Sequence, residues 1–454
     1  MKNSAIENFQ NLGAASGKAV PLILILAGFV ASLLLNLPGH LSYDSVIQLL
    51  DGRTGEYHTW HPPVMAWFLG LGDTVLSGTG LFVIAGAALN SAAFASLLWL
   101  KQRCGWLTVL AALFCVLTPQ FLLYQGIVWK DVLFANASLG GFVALAHAAR
   151  LWAKASCRAA WLAAAAILFV VAALTRQNGV IVAFGGVAVV GWIAGRQGGL
   201  KAGLMHGLLA LIGLAMLFVA AQAMLNVRSA RDGGTAEQIT LLQAYDLIGA
   251  MKLDPAYRLQ IVEGQMPKLA AAMRTDGVML YSPLKNDTLE ESAILEDELT
   301  APASAAPLAR QWRDLIASHG LLYLRTRLAV FSQVFLTPQL LQCVPFFVGV
   351  DGPPEEMQQL GMTRRWDATD KMQADYAGAF VGTPVFSHAA FAVLGLLLLG
   401  LTFRRGTPTD IALGCMLVSM LAFTLSFFVI SIACDYRYLY ALDMSVLYAL
   451  FYLA

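Results

Sequence analysis

Charge is what this chain has least of. Only 13% of its 454 residues are Asp, Glu, Lys or Arg, where a soluble globular domain carries about 25%. The net charge is +1, so neither nucleic acid nor acidic phospholipid is indicated as a partner. The six cysteines are scattered, without a CxxC pair or metal-ligand spacing. Cys115 and Cys415 sit inside apolar runs as small packing residues, whereas Cys343 and Cys434 are the two that would share an oxidising compartment. There is no internal repeat and no low-complexity stretch. The first apolar run lacks a small-residue cleavage site, so it reads as a retained helix and not a signal peptide.

Apolar length is abundant. The chain is 58% hydrophobic with a mean hydropathy of +0.66. A hydrocarbon core of about 30 Å needs about 20 apolar residues in a helix, and runs near that length recur at 19–38, 80–100, 105–123, 131–150, 159–176, 179–195, 202–225, 384–403, 410–432 and 438–454. Runs of that length exclude a barrel, whose strands would be about 10 residues with alternating polarity. The expected fold class is an all-α polytopic membrane protein with about ten transmembrane helices.

Lysine and arginine set the orientation. One set of short loops carries Lys2, Lys18, Lys101, Arg103, Arg150, Lys154, Arg158, Arg196, Lys201, Arg404 and Arg405; the opposite set carries Arg53, Lys130, Arg176 and Arg437. The first set is expected to be cytoplasmic, with both termini inside. Three parts follow: a membrane module over 1–225 whose first outer loop spans 38–80, an outer, mainly helical region over 226–383, and closing membrane helices over 384–454. Within the outer region, 228–300 holds most of the charge, 299–307 reads as a linker, and the apolar stretch 311–347, interrupted by Arg325, Arg327, Pro338 and Pro345, reads as an amphipathic helix on the outer surface.

Chemistry-bearing residues crowd the expected outer ends of the spans. The island 38–63 reads PGHLSYDSVIQLLDGRTGEYHTWHPP. As a helix, SYDSVIQLLDG puts Asp44, Gln48 and Asp51 on one face and Val46, Leu49 and Leu50 on the other, the apolar face then resting in lipid headgroups. Asp44 is either a general base or a first-turn acid favoured by the helix dipole. In HTWHPP, Pro62 and Pro63 start a helix, His61 suits hydrogen bonding to a sugar or phosphate, and a metal held by His58 and His61 lacks a visible third ligand. Lys130 and Asp131 in QGIVWKDVLFA open the fourth span, as a functional pair or a self-satisfied helix start. Arg176 in TRQNG is placed to hold a phosphate through its two-pronged guanidinium or to anchor the interface. Arg437 stands between Tyr436 and Tyr438 in CDYRYLYALD, with Asp435 as a partner. Tyr43 and Tyr438 complete the binding set.

With these motifs in order, the chain resembles the GT-C superfamily of glycosyltransferases that use polyprenyl-phosphate sugars, including protein O-mannosyltransferases and lipid A aminoarabinose transferases. The likeness is carried by the acid in the first outer loop (SYDS, Asp44), the HPP helix start (61–63) and the acid opening the fourth span (WKDVLFA, Asp131), with TRQNG and DYRY as in bacterial members. It covers most of the spans and not the outer region. The resemblance implies periplasmic juxtamembrane helices, Asp44 as base of an inverting transfer, Asp131 as organiser, and undecaprenyl phosphate as the lipid in a bacterial inner membrane, with the site facing the periplasm. Many members carry two adjacent acids where Asp44 is flanked by Tyr43 and Ser45, so no metal and no cofactor are expected. The acceptor would be a glycan, a lipid-linked glycan or a protein. Two other readings remain: a flippase for lipid-linked sugars, and a glycan polymerase or ligase using pyrophosphate donors, for which Arg310, Arg313, His319, Arg325 and Arg327 would supply the basic loop.

Overall fold

A backbone surrounded by hydrocarbon must satisfy its own polar groups, and the described residues are accordingly helices joined by turns, with isolated bridges and no strand ladder. The computed structural model describes residues 2–58, 60–226 and 234–454, the first helix with its side chains from residue 17 onward. Residues 227–233, at the head of the expected charged stretch, and Thr59 of HTWHPP lie outside the described residues.

The helices that build the argument are α1 (Gly17–Asn36), α2 (Tyr43–Thr54), α3 (Pro63–Val75), α4 (Gly80–Leu100), α5 (Trp106–Leu117), α6 (Lys130–Arg150), α7 (Ala155–Thr175), α8 (Val180–Asn226), α9 (Gly234–Leu253), α10 (Ala305–Ser318), α11 (Gly320–Leu336), α12 (His388–Arg405), α13 (Pro408–Ile430) and α14 (Tyr440–Leu453). Among the described residues seven helices are long and apolar enough to cross a membrane, or eight if a bent pair is one span. Some 94% of the α6 window is buried, against 6% of the 177–225 window. That contrast puts α6 at the bundle centre, against α4, α7, α13 and α14, and leaves α8 its apolar flank for lipid.

Several expectations change in detail. The run 105–123 is not one straight span: Trp106–Leu117 and Pro119–Gly126 meet at 68°, because Pro119 lacks the amide that would continue α5. The runs 179–195 and 202–225 are the two helical arms of α8, which reverse direction at Gly199, whose φ of 82° suits glycine. A methyl at Gly191 would meet Gly203 and Gly207 at 3.3 and 3.6 Å, so the two arms lie side by side. The last run gives a 14-residue helix, α14, too short for a full crossing and almost wholly buried. The stretch 311–347 is not one surface helix. Residues 311–336 belong to α10 and α11, which break at His319–Gly320, and 337–347 follow outside both helices; α11 packs on α9 and α13. The expected linker at 299–307 is a folded turn in which Ser304 Oγ donates to the Leu299 carbonyl at 2.7 Å.

The segment leading into α2 is laced on both sides. His40 N bonds Gly126 O and Val128 N bonds His40 O, while Leu41 N bonds Gly349 O and Asp351 N bonds Leu41 O. Residues far apart in sequence thus fix where α2 begins. The α2 helix does not lie in headgroups. It is clamped against α3 and Pro354–Leu360, with Val46, Gln48, Leu49 and Asp51 buried. Gly52 and Gly70 allow the α2–α3 contact: a Cβ on Gly70 would sit 2.1 Å from the Gly52 carbonyl oxygen. The expected apolar face is real, but protein covers it, and so is most of the polar face.

Candidate functional site

Asp44 lies in the first turn of α2, two residues after Ser42 at the N-cap position. Its Oδ2 accepts from Arg437 Nη2 at 2.7 Å, and its Oδ1 stands 3.7 Å from His61 Nε2. Lys130 Nζ donates to His61 Nδ1 at 2.9 Å, which leaves the Nε2 proton of the neutral ring facing Asp44. One residue on, Asp131 pairs with Arg176 and lies 3.8 Å from Arg437 Nε. Arg437 Nε also donates to Asp435 Oδ2 at 3.0 Å. Lys130 and Asp131 are therefore tied to partners from distant segments, and the self-satisfied reading of that pair gives way.

Aromatic faces complete the cluster. The Arg437 guanidinium lies 5.0 Å from the Trp129 ring centre, and Trp129 Nε1 donates to Ser42 Oγ at 2.9 Å. Arg176 lies 5.1 Å from Phe427 and 5.2 Å from Tyr438, two rings that stack on each other. Cations over rings gain most where water is scarce. The turn carrying Arg437 is pinned from behind: Tyr436 OH donates to Asp443 Oδ2 at 2.7 Å, and Asp443 Oδ1 lies 3.0 Å from His388 Nδ1. From the other side, buried Arg327 donates to the carbonyls of Phe428 and Ser431 and to Asp246, each at 2.7 Å. This arginine is therefore structural, while Arg310 and Arg313 bond along the exposed side of α10. The basic loop that a pyrophosphate-dependent ligase would need is not assembled at the site.

The charges follow from this packing. Burial works to raise the Asp44 carboxyl, but the Arg437 charge, then His61 and Lys130, outweigh it and hold the group well below the usual carboxylate range. Burial also opposes the Arg437 charge, and Asp435 and Asp44 more than offset it, so the guanidinium is held above its ordinary value. His61 is lowered to about 3, by burial first and the Lys130 charge second, and is neutral in the physiological range.

Two cavities flank this layer. One, of about 420 Å³, opens beside Tyr43, Asp44, Trp129, Phe347, Asp435 and Arg437. The other, of about 170 Å³, is lined by Trp60, Lys130, Arg176, Asn178, Phe427 and Tyr438. Along α7 and α8, an apolar groove of about 190 Å³ lined by Phe169, Ala173, Val180, Phe184 and Phe218 begins two residues from Thr175 and Asn178 of that second cavity.

All eight residues singled out from sequence, Tyr43, Asp44, His61, Lys130, Asp131, Arg176, Arg437 and Tyr438, contact this layer or line its cavities. Tyr43 is 61% exposed and makes the cavity rim. The two histidines of the metal reading part company: His58 Nδ1 bonds Asp51 at 2.8 Å, while His61 faces Asp44 and Lys130. Sequence reading passed over Trp129, whose place beside Lys130 in the same motif was the available signal, and Asp443, whose buried partner His388 comes from α12.

No family model matches the chain, and no curated protein matches it. Among solved structures, the chain is similar to the archaeal oligosaccharyltransferase AglB from Archaeoglobus fulgidus in complex with an inhibitory peptide and a dolichol-phosphate, at 14% identity over 96% of this chain and 50% of that one, with a TM-score of 0.43. It is also similar to ArnT from Cupriavidus metallidurans in the apo state, at 15% identity over 95% of this chain and 78% of that one, with a TM-score of 0.34. The chain spans about half the length of the oligosaccharyltransferase it matches. At this distance, the reading of the site rests on the chain's own residues.

Proposed function

We propose that this protein is an inverting glycosyltransferase that moves a sugar from a polyprenyl-phosphate donor, undecaprenyl phosphate in a bacterium, to a hydroxyl of a glycan, lipid-linked glycan or protein. The observation that carries the reading is the convergence of Asp44, His61, Lys130, Asp131, Arg176 and Arg437 from five separate segments into one layer between two cavities. The cavity at Lys130 and Arg176 takes the donor phosphate, and the apolar groove along α7 and α8 takes its isoprenoid chain. The acceptor enters from the Asp44 side.

The chemistry then has a place for each charge. The acceptor oxygen attacks the anomeric carbon from the face opposite the phosphate, and the bond from that carbon to the phosphate oxygen breaks. Asp44 takes the hydroxyl proton, and Lys130, Arg176 and Arg437 neutralise the leaving phosphate. Arg437 bonds Asp44 in this structure, and a phosphate brought against Lys130 and Arg176 competes for that guanidinium. Asp131 keeps Arg176 aimed, and His61 keeps Lys130 and Asp44 in register. No metal or cofactor is invoked.

The Cys343–Cys434 disulfide, with Cα atoms 5.1 Å apart, supports an oxidising compartment at this end of the bundle. The lysine and arginine bias points the same way, and together they favour an inner-membrane protein with its site on the periplasmic face. The test is transfer of a radiolabelled sugar from purified polyprenyl-phosphate donors in lipid nanodiscs. Asp44→Asn should insert and fold while losing transfer; full activity in that variant removes Asp44 as the base. Movement of the lipid without bond change would establish the flippase instead, and transfer only from pyrophosphate donors the ligase.

A further inference from the structure

The two walls of the Asp44 cavity come from opposite parts of the outer region and the C-terminal helices. On one side stand Val344 and Phe347; on the other stand Asp435 and Arg437. Each wall is fastened to something else. Tyr124 OH donates to the Pro345 carbonyl, and Gly349 N donates to His40 Nδ1 at 2.9 Å. Opposite, Cys434 N donates to the Leu284 carbonyl at 2.8 Å, and Arg327 grips Ser431. Among the described residues no hydrogen bond joins 340–348 to 431–437. Trp129, lying against Phe347 and Arg437, and Tyr124, packed on Tyr436, bridge them by ring contact, but the direct link is one covalent bond, between Cys343 and Cys434, whose partners are 91 residues apart in sequence.

The position of this bond matters more than its existence. Cys343 immediately precedes Val344, and Cys434 immediately precedes Asp435, so the link lies one residue back from both cavity walls. Val344 holds a φ of 45°, a left-handed backbone that a β-branched residue adopts only under constraint. Both sulfur-bearing residues are buried, at 0% and 2% exposure, out of reach of soluble thiols. That burial argues against a switch toggled in the folded protein and for a permanent brace.

We propose that the Cys343–Cys434 disulfide is a positioning element of the active site: it sets the spacing between the Val344–Phe347 wall and the Asp435–Arg437 wall, and so the reach of an acceptor to Asp44. The assignment of this cavity to the acceptor rests on the glycosyltransferase reading above; the brace itself does not. The donor cavity takes Lys130 from α6 and Arg176 from the turn after α7, and only Ser431, Ile432 and Tyr438 of its lining come from the segment around Cys434, whereas the acceptor cavity has a wall on each side of the bond. Loss of the bond therefore impairs acceptor use more than donor binding.

The test pairs kinetics with hydrogen exchange in the full chain. In Cys343→Ala/Cys434→Ala, amide exchange should rise roughly tenfold in peptides covering 340–351 and 431–439 and stay unchanged in α4 and α6. At a temperature where the variant is folded, kcat/KM for acceptor should fall by about 10²-fold, as for a misplacement of about 1 Å, with a much smaller change in donor KM. A second variant guards against misfolding: one glycine inserted between Val344 and Pro345 keeps the bond and displaces the wall. It should lower acceptor kcat/KM with little change in melting temperature. Exchange that is unchanged or raised evenly along the chain overturns the proposal, as does local loosening with normal acceptor kinetics or an insertion without kinetic effect. If the wild-type protein transfers no sugar from any donor, the functional reading fails, and the exchange pattern alone decides whether the bond braces the two walls.

Discussion

Replacing Arg437 with glutamine removes the charge that keeps Asp44 ionised. The pair is bonded at 2.7 Å, with side chains 14% and 25% exposed, between bulk water and a dry interior. For charge centres about 4 Å apart, the attraction is about 1 kcal/mol in water and about 4 kcal/mol at an effective dielectric constant near 20. At about 1.4 kcal/mol per pH unit, that raises the Asp44 carboxyl by about 1 to 3 units. Burial already pushes it upward, and only His61 and Lys130 remain to oppose it. The direction follows from linkage. A lowered carboxyl contributes stability that is present above its unfolded value of 3.8 and lost as pH falls through the folded value. With Arg437 gone, the folded value moves toward the unfolded one, so that contribution shrinks or disappears. In the transfer assay, the acid limb of kcat/KM should move up by the same 1 to 3 units, and the rate at neutral pH should fall by about 10²- to 10³-fold as a phosphate-facing donor is lost. Arg437→Lys, which keeps the charge without the planar fork, should restore most of the acid limb and only part of the rate. A folded Arg437→Gln protein whose acid limb stays in place would refute the coupling.

Three further outcomes test the scaffold. Arg327→Met strips the fully buried Asp246 of its partner, a group already raised by burial; it should cost about 3–5 kcal/mol, read as a lower melting temperature, with much of the loss recovered in Asp246→Asn/Arg327→Met. Gly70→Ala forces a methyl to within 2.1 Å of the Gly52 carbonyl oxygen; backbone cannot step aside cheaply, so the variant should lose about 1–3 kcal/mol and exchange faster in α2, and unchanged exchange there would contradict the close approach. His40 is lowered from 6.5 to about 4, first by burial and then by Arg365. The unfolded chain takes up that proton between those values and the folded chain does not, so stability should drop by up to about 3 kcal/mol across that window, and His40→Gln should flatten the dependence in melts at pH 7.5 and 5.

Much of this site was legible because a membrane makes ionisable residues conspicuous. Against so many apolar residues, Asp44, Lys130, Asp131, Arg176 and Arg437 stand out by position alone, each at the end of an apolar run. Their pairings were not legible. Lys130 and Asp131 are neighbours in sequence, yet one bonds His61 and the other Arg176, because consecutive residues on a helix diverge by about 100°. The reading of α2 as a headgroup helix failed for a related reason: amphipathicity shows that a face will be covered, and protein from 349–360 covers it here. The break at Pro119 was signalled by the proline, and the reversal at Gly199 by glycine.

By itself, the sequence determined the helical class, the rough placement of the spans and the end of the bundle where charge gathers, because hydropathy and helix length are local properties set by the thickness of hydrocarbon. Only the tertiary structure decided that Arg437 meets Asp44 across 393 positions, that Cys343 joins Cys434, and that Arg327 is a buried clamp and not part of a binding loop. Those facts depend on which distant segments share a few ångströms of space, and no local pattern encodes that.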